Sequence, residues 1–167
     1  RMITGRHKVL SRYNSYHGAT YGALTLTGDA RRKPFEPGIP GVIQVSPPDC
    51  FRCPWGQSKE SCEIECAREL IRTAQFEGPS TIAAIFVEPI GGAVGGYMPP
   101  VEYMKALRSF CTEHGIILVA DEVLTGFGRT GEWFAVNHAD IAPDMMVMAK
   151  GLTAGYAPLG ALGGRGD

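Results

Sequence analysis

Ionisable side chains directly follow three apolar runs of the sequence. The runs and the side chains that end them are Ile82–Val87 with Glu88, Ile116–Ala120 with Asp121 and Glu122, and Met145–Ala149 with Lys150. In open α/β sheets, ligands bind beyond the carboxyl ends of the strands. If each run is a strand of one such sheet, the acids and the lysine meet in a common crevice. Charges also follow buried strands in α/β proteins that have no site there, so this placement alone leaves both interpretations open.

Lys150 follows five apolar residues and precedes Gly151. A lysine amine in a desolvated site becomes nucleophilic and can bond covalently to a carbonyl carbon. The alternative is a solvated lysine that opens the next loop. Asp121 would meet a second requirement of pyridoxal phosphate chemistry, because a carboxylate beside the pyridine nitrogen keeps that nitrogen protonated and the ring electron-accepting. The two residues together therefore suggest a site for that cofactor.

The apolar runs predict the elements that would position these side chains. Continuous runs of this length are typical of strands buried on both faces of a parallel sheet. Two other runs, Lys8–Arg12 and Val42–Val45, predict further strands. Amphipathic spacing predicts helices over Ser61–Phe76 and Val101–His114, the second of them ended by Gly115. This alternation indicates a doubly wound α/β sheet, whose strand order the sequence does not determine.

Four ordered motifs carry a resemblance to a known family. Residues 118–131 read LVADEVLTGFGRTG and are followed by Pro143-Asp144 and by AKGLTAG at 149–155. Upstream, residues 15–20 read SYHGAT and residues 87–92 read VEPIGG. In this order the motifs resemble class III (omega) aminotransferases over essentially the whole chain, and the spacing of 29 residues from Asp121 to Lys150 (150 − 121) also fits. The resemblance implies a fold-type I pyridoxal-phosphate-dependent transferase large domain, with a mostly parallel sheet flanked by helices.

The resemblance also implies a cofactor site with defined roles. Its candidate residues are Lys150, Asp121, Val123, Glu88, Tyr16 and His17. Lys150 would hold the cofactor covalently and, once displaced by the amine substrate, would shuttle a proton between substrate and cofactor carbons. Asp121 would pair with the pyridine nitrogen, while Val123 and Tyr16 would cover opposite faces of the ring. Glu88 would hydrogen-bond near Asp121 and orient it, and no metal is expected in this site.

Some of these residues also have purely structural interpretations. Val123 could be an ordinary core residue, and Tyr16 and His17 could be turn residues before a helix. Departures from the family pattern bear on the substrate: where some members carry a glutamine and then a glutamate after Glu-Pro-Ile, this chain has Gly91 and Ala93. In those members the glutamate holds an arginine that serves dual substrates. Its absence favours omega-amino acids or simple amines as donors and a keto acid such as pyruvate as acceptor.

Charge and length suggest which partners to expect. The net charge of −1 gives no electrostatic case for nucleic acid or an anionic membrane surface. We expect a cytoplasmic enzyme acting on small-molecule amine and keto acid substrates, and the resemblance implies a homodimer. Residues 1–167 would form the central part of the large domain, without the phosphate-binding segment that precedes it or the small C-terminal domain. We therefore expect the isolated 167-residue chain to show weak or no catalysis.

Four cysteines support a competing hypothesis. Cys50, Cys53, Cys62 and Cys66 have the spacing C-x2-C-x8-C-x3-C, whose first pair is compatible with a small zinc-binding module. The alternative is a cytosolic loop with free thiols. Two further hypotheses also stay open: another pyridoxal phosphate reaction on the same scaffold, such as an aminomutase or a decarboxylating transaminase, and a folded but non-catalytic fragment.

Overall fold

The computed structural model describes residues 1–58, 60–93, 95–96 and 98–166. These residues form six strands and three α-helices: β1 (Lys8–Arg12), α1 (Tyr21–Leu26), β2 (Val42–Val45), α2 (Glu65–Glu77), β3 (Ile82–Val87), α3 (Val101–His114), β4 (Ile117–Asp121), β5 (Met145–Met148) and β6 (Ala161–Gly164). Short 3-10 turns occupy Ala30–Phe35, Pro79–Thr81, Ala135–Ala139 and Lys150–Thr153. None of the described helices is long and apolar enough to cross a lipid bilayer.

All six strands belong to one sheet with the order β2-β1-β3-β4-β5-β6. The first five strands run parallel, and β6 pairs antiparallel with β5. The predicted α/β class with a mostly parallel sheet is therefore confirmed. Because β3, β4 and β5 are parallel neighbours, their carboxyl ends lie at the same edge of the sheet, with Asp121 opposite Val147 in the register.

The core forms between the sheet and one face of each long helix. Helix α2 buries Leu70 and Ala74, and α3 buries Tyr103 and Leu107. Apolar side chains at this spacing line a single helical face, which explains why both helices pack on the sheet. Gly115 ends α3 in the left-handed conformation (φ +59°), as its position after the amphipathic run predicts.

The clearest differences from the predictions are the start of α2 and the presence of β6. Helix α2 begins at Glu65 and not at Ser61, because Ile64 before it has left-handed backbone angles (φ +52°) that a helix cannot contain. Cys62 therefore lies in the preceding loop and not on a helical face with Cys66. Strand β6 was not predicted, since its sequence Ala161-Leu162-Gly163-Gly164 has little of the β-branched character on which strand predictions rest.

The strand that precedes the lysine is less covered than its composition suggests. All four residues of β5 are half-buried, whereas β3 and β4 are mostly buried. The apolar run at 145–149 therefore predicts the strand correctly but overstates its burial.

Candidate functional site

Asp121 is the last residue of β4, and its carboxylate is held on both oxygens. Oδ1 accepts a hydrogen bond from the backbone N–H of Val123 at 3.1 Å. Oδ2 lies 2.7 Å from Nδ1 of His17, in a pair whose side chains are 5% and 1% exposed. The carboxylate is therefore buried and fixed in orientation at the carboxyl edge of the sheet.

His17 connects this carboxylate to the loop after β1. Its ring contacts Phe86 of β3 edge-on, with centroids 4.7 Å apart. Its other nitrogen, Nε2, is buried and has no hydrogen-bond partner among the residues that the structure describes. A buried polar atom without a partner costs about 1–3 kcal/mol, so this nitrogen marks a place where a further polar group fits.

The side chain of Glu88 holds the same loop by accepting a hydrogen bond from the loop backbone. Its Oε1 accepts from the backbone N–H of Tyr16 at 2.9 Å, and its Oε2 accepts from the N–H of Gly92 at 2.7 Å. Arg12, itself only 3% exposed, donates to the Glu88 carbonyl at 2.5 Å. Glu88 thus ties the segment before His17 to the loop after β3.

Glu88 was expected to hydrogen-bond near Asp121, and it accepts from Tyr16, the neighbour of the His17 that pairs with Asp121. No hydrogen bond joins the two carboxylates within the described ranges, and each is satisfied by N–H donors instead. Two ionised carboxylates can only accept hydrogen bonds, so each needs a donor from another group. His17 supplies that donor for Asp121, and Glu88 acts one step further away by fixing Tyr16.

The side chain of Tyr16 is half-buried and stacks with a cation. The guanidinium carbon of Arg31 lies 4.0 Å from the centroid of the Tyr16 ring, and Arg31 also pairs with Asp29. A guanidinium over an aromatic face is a favourable contact. Val123 is half-buried two residues after Asp121, so both residues expected to cover the cofactor ring have partly accessible side chains.

Lys150 lies two residues beyond β5 and has an unusual backbone. It adopts a left-handed conformation (φ +46°) and opens a 3-10 turn. Such a conformation costs a non-glycine residue about 1–3 kcal/mol and is concentrated at functional sites. Its side chain is exposed, not desolvated as the preceding apolar run suggested, and the described part of the chain offers its ammonium no hydrogen bond or ion pair.

Close packing brings the lysine loop against the loop after β4. A Cβ built on Gly151 would lie 3.0 Å from Cβ of Phe127 and 3.2 Å from the carbonyl oxygen of Gly126. Only a residue without a side chain fits this contact comfortably. The loop that carries Lys150 is therefore clamped onto the loop that follows Asp121.

Glu122 plays a different part from its neighbour Asp121. It is fully buried, accepts from the Thr125 hydroxyl, and accepts from the backbone N–H of Val136 at 2.9 Å. This carboxylate folds the loop after β4 and is not available to a ligand. Of the two adjacent acids, Asp121 is therefore the candidate to contact a ligand, and Glu122 has a structural role.

Replacing Thr125 with valine is expected to lower the free energy of unfolding by about 1–3 kcal/mol, because an oxygen of the buried Glu122 loses its donor. Denaturant-induced unfolding measures the change. Thr112→Val is the matched control, since Thr112 is exposed on α3 and bonds only within its own helix. Equal losses in both variants would contradict the structural role of Glu122.

Gly28 packs against the backbone of the loop that carries Tyr16 and His17. A Cβ at this position would lie 1.9 Å from the carbonyl oxygen of Arg12, and the Gly28 N–H donates to the Ser15 carbonyl at 3.0 Å. Gly28→Ala is therefore expected to destabilise the protein by about 1–3 kcal/mol, because backbone atoms must move.

The control for this prediction is Gly22→Ala in α1, where the added methyl would make an ordinary 3.7 Å contact with Ile39. Thermal unfolding of both variants measures the difference. If Gly28→Ala unfolds at the same temperature as the control, the close approach does not constrain this loop.

Sequence reasoning missed two contributors to the site. His17 was a candidate only for cofactor contact, but it contacts Asp121 directly. Arg12 was expected only as the end of a strand, yet it is a buried cation bonded to the loop after β3. The available signal was an arginine at the end of a predicted strand, two residues after Leu10.

Comparisons with known proteins agree with this arrangement. The family model described as aminotransferase class-III matches residues 1–167. The chain is 42% identical over 171 residues to the leucine/methionine racemase of Thermococcus litoralis, covering 100% of this chain and 38% of that protein. It is 37% identical over 155 residues to the putrescine–pyruvate aminotransferase of Pseudomonas aeruginosa, covering 92% and 34% respectively.

A solved structure shows the same similarity in three dimensions. The amine transaminase of an uncultivated Pseudomonas species, in its PLP-bound form, matches with a TM-score of 0.88 at 39% identity. The match covers 95% of this chain and 36% of that chain. The chain thus spans little more than a third of the length of these proteins.

Proposed function

Because this chain belongs to the class-III aminotransferases, we propose that it forms the cofactor-binding core of a transaminase. The enzyme moves an amino group from an omega-amino acid or a simple amine to a keto acid such as pyruvate. The observation that carries the proposal is the clamp at Gly151, which brings the Lys150 loop to the sheet edge where His17 and Asp121 pair. The fold is that of the fold-type I aminotransferases it matches.

The residues at this edge fit pyridoxal phosphate. When bound, the cofactor supplies an aldehyde carbon that can join an amine nitrogen and an aromatic ring that accepts an electron pair. The fit rests on three observations: a buried, oriented carboxylate on Asp121, an amine on Lys150 with no described polar partner, and the buried unpartnered Nε2 of His17.

Each residue then has a task that its geometry permits. Asp121 would pair with the protonated ring nitrogen, because its carboxylate is fixed by Val123 and His17. Lys150 would hold the cofactor covalently through Nζ and, once free, would carry the proton taken from the substrate carbon on the same atom. Tyr16 and Val123 would cover the two faces of the ring and exclude water from it.

Glu88 and His17 would act by positioning. Glu88 fixes the Tyr16 backbone, and His17 fixes the Asp121 carboxylate. Neither needs to touch the reacting atoms in this proposal. In this proposal, residues at the ends of the three parallel strands β1, β3 and β4 together orient one ring.

Support for the substrate class comes from the sequence and from one relative. Ala93 stands where some family members carry the acid that serves dual substrates. The similar Pseudomonas aeruginosa protein is named for putrescine, a simple amine, and for pyruvate. We therefore place this chain with enzymes for simple amines or omega-amino acids.

The test uses the purified gene product that contains this chain. It is supplied with pyridoxal phosphate and pyruvate and with either β-alanine or putrescine, and alanine formation is measured. We expect alanine only when an amine donor and the cofactor are both present. Cofactor binding without alanine from either donor would contradict the substrate class, and failure to bind the cofactor would contradict the site.

The 42% identity to a racemase favours a second candidate reaction on the same scaffold. A racemase would use the same lysine to remove and return the substrate proton without consuming a keto acid. Incubation of L-leucine with the enzyme in the absence of pyruvate separates the two reactions. Loss of optical activity without pyruvate would indicate racemisation. Consumption of L-leucine only when a keto acid is added would indicate transamination.

We extend the proposal to the whole protein in three respects. Residues 1–167 form the central part of the large domain, the active enzyme is a homodimer, and it works in the cytoplasm. The first part is supported by the relatives, of which the chain covers 34–38%. Since such a core leaves part of the site to other segments, the isolated chain is expected to turn over substrate weakly or not at all.

A further inference from the structure

A cavity away from the cofactor site is lined by four of the five cysteines. It has a volume of about 650 Å³ and lies between residues 49–58, residue 62, the start of α2 and the start of α3. Cys50, Cys53, Cys62 and Cys66 all line it, together with Trp55 and Pro100. None of these thiols is used in the proposed reaction.

Two local turns bring the thiols of the loop to this cavity. The Asp49 carboxylate accepts from the backbone N–H groups of Phe51 and Arg52 at 3.1 and 2.8 Å, which turns the chain just after Cys50. On the far side of the loop, Gln57 accepts from the N–H of Glu63 at 3.0 Å. Cys62 therefore lies in a folded-back segment and not at the start of the helix.

The four thiols differ in accessibility. Cys66 is buried, and burial raises the pKa of its thiol to about 11. Cys50 is exposed at the mouth of the cavity, and Cys53 and Cys62 are half-buried. Partial burial raises the pKa of the Cys50 thiol, and repulsion from Cys62 and then from Cys53 adds to this effect.

The arrangement does not suit a metal ion. Within the described residues there is no group of three or more histidine, cysteine, aspartate or glutamate side chains that could hold one. A structural zinc site needs four convergent ligands. The zinc-module hypothesis from the cysteine spacing thus has no support in this geometry, and the chemistry left to neighbouring thiols is exchange with a disulfide.

We propose that Cys50 and Cys62, which line the same cavity, form a reversible disulfide by exchange with a low-molecular-weight peptide disulfide. The Cys50 thiolate attacks one sulfur of the small disulfide, forms a mixed disulfide and releases one thiolate. The Cys62 thiolate then attacks the Cys50 sulfur, forms the protein disulfide and releases the second thiolate. The protein loses two thiol hydrogens, and the small disulfide is reduced to two thiols.

The choice of Cys50 as the first nucleophile follows from its exposure. Only the thiolate attacks, so the raised pKa of Cys50 makes the first step slow at neutral pH and faster as the pH rises. Cys62 is half-buried and lines the same cavity, so we assign it the second step.

The experiment treats the purified protein with oxidised glutathione at pH 8 and counts free thiols before and after. Digestion with trypsin then separates Cys50 and Cys53 from the fragment 60–68, which carries both Cys62 and Cys66, because Arg52 and Lys59 are cleavage sites and the next one is Arg68. We expect a loss of two thiols, a mass decrease of about 2 Da, and a linked peptide that joins the Cys50 fragment to the fragment 60–68.

Three variants make the test specific. Cys62→Ser should stop at the mixed disulfide and retain one glutathione on Cys50, whereas Cys53→Ser and Cys111→Ser should still form the protein disulfide. Cys111 is a suitable control because it is buried on α3, and burial raises its pKa to about 12. A link from Cys50 to Cys53, a link that persists in Cys62→Ser, or no loss of thiols would each overturn the proposal.

Discussion

Replacement of Lys150 by alanine is expected to reduce transamination by about 10²–10⁴-fold or more, the range typical for loss of a residue that transfers the reaction proton. The physical reason is that, among the described lysines, Lys150 alone follows a strand at the sheet edge where Asp121 and His17 pair. The variant should also lose the visible absorbance of covalently held pyridoxal phosphate. Steady-state rates and absorbance spectra of the wild type and the variant measure both effects.

Two controls separate chemistry from folding. Lys105→Ala removes an exposed lysine from α3 and should leave rate and spectrum unchanged. Lys150→Arg keeps the positive charge but has no nucleophilic amine, so it should resemble the alanine variant in activity. An active Lys150→Arg enzyme would show that charge alone suffices and would remove the basis of the proposed site.

Asp121→Asn is expected to reduce the rate by about 10²–10³-fold, as found when one preorganised electrostatic partner is removed from an active site. Asparagine nearly matches aspartate in shape and keeps an oxygen for the Val123 N–H, but it has no charge to hold a proton on the ring nitrogen. The cofactor should still bind covalently to Lys150. Rate and spectrum must therefore respond differently, which distinguishes this variant from Lys150→Ala.

The matched control is Asp140→Asn. Asp140 is exposed and left-handed (φ +51°), a conformation that asparagine adopts readily, so the same chemical change there should have no effect. His17→Phe gives a second check, because it keeps an aromatic ring against Phe86 but removes the contact to Asp121. If Asp121→Asn retains the wild-type rate, the carboxylate does not serve the ring nitrogen.

Much of the scaffold could be predicted from the sequence because β3, β4 and β5 are largely apolar runs with sharp ends. The bounds of β1, β2, β3 and α3 are as predicted, and β4 is shifted by one residue. The start of α2 was wrong because Ile64 adopts a left-handed conformation that the apolar periodicity does not reveal. Strand order and the antiparallel β6 depend on long-range pairing, which local patterns do not encode.

Several residues of the site could be predicted from the sequence, but the hydrogen bonds that join them could not. The apolar runs and motifs singled out Asp121, Lys150 and Glu88 as residues at one sheet edge. The hydrogen bond from His17 to Asp121 spans 104 residues, and the one from Tyr16 to Glu88 spans 72, so no local spacing could have indicated either. The exposure of Lys150 also escaped prediction, because five apolar neighbours in sequence do not ensure apolar neighbours in space.

The segment at 128–132 lies outside the contact that holds Gly151 against Phe127. The N–H of Phe127 donates to the Trp133 carbonyl at 2.7 Å, so this mostly exposed segment leaves and returns at one point, and His138 contacts Thr130 within it. Extra residues inserted at its tip would add mainly loop-closure entropy, about 0.6 kcal/mol for each doubling of length. This surface segment can therefore be lengthened while Asp121 and Lys150 keep their relative positions.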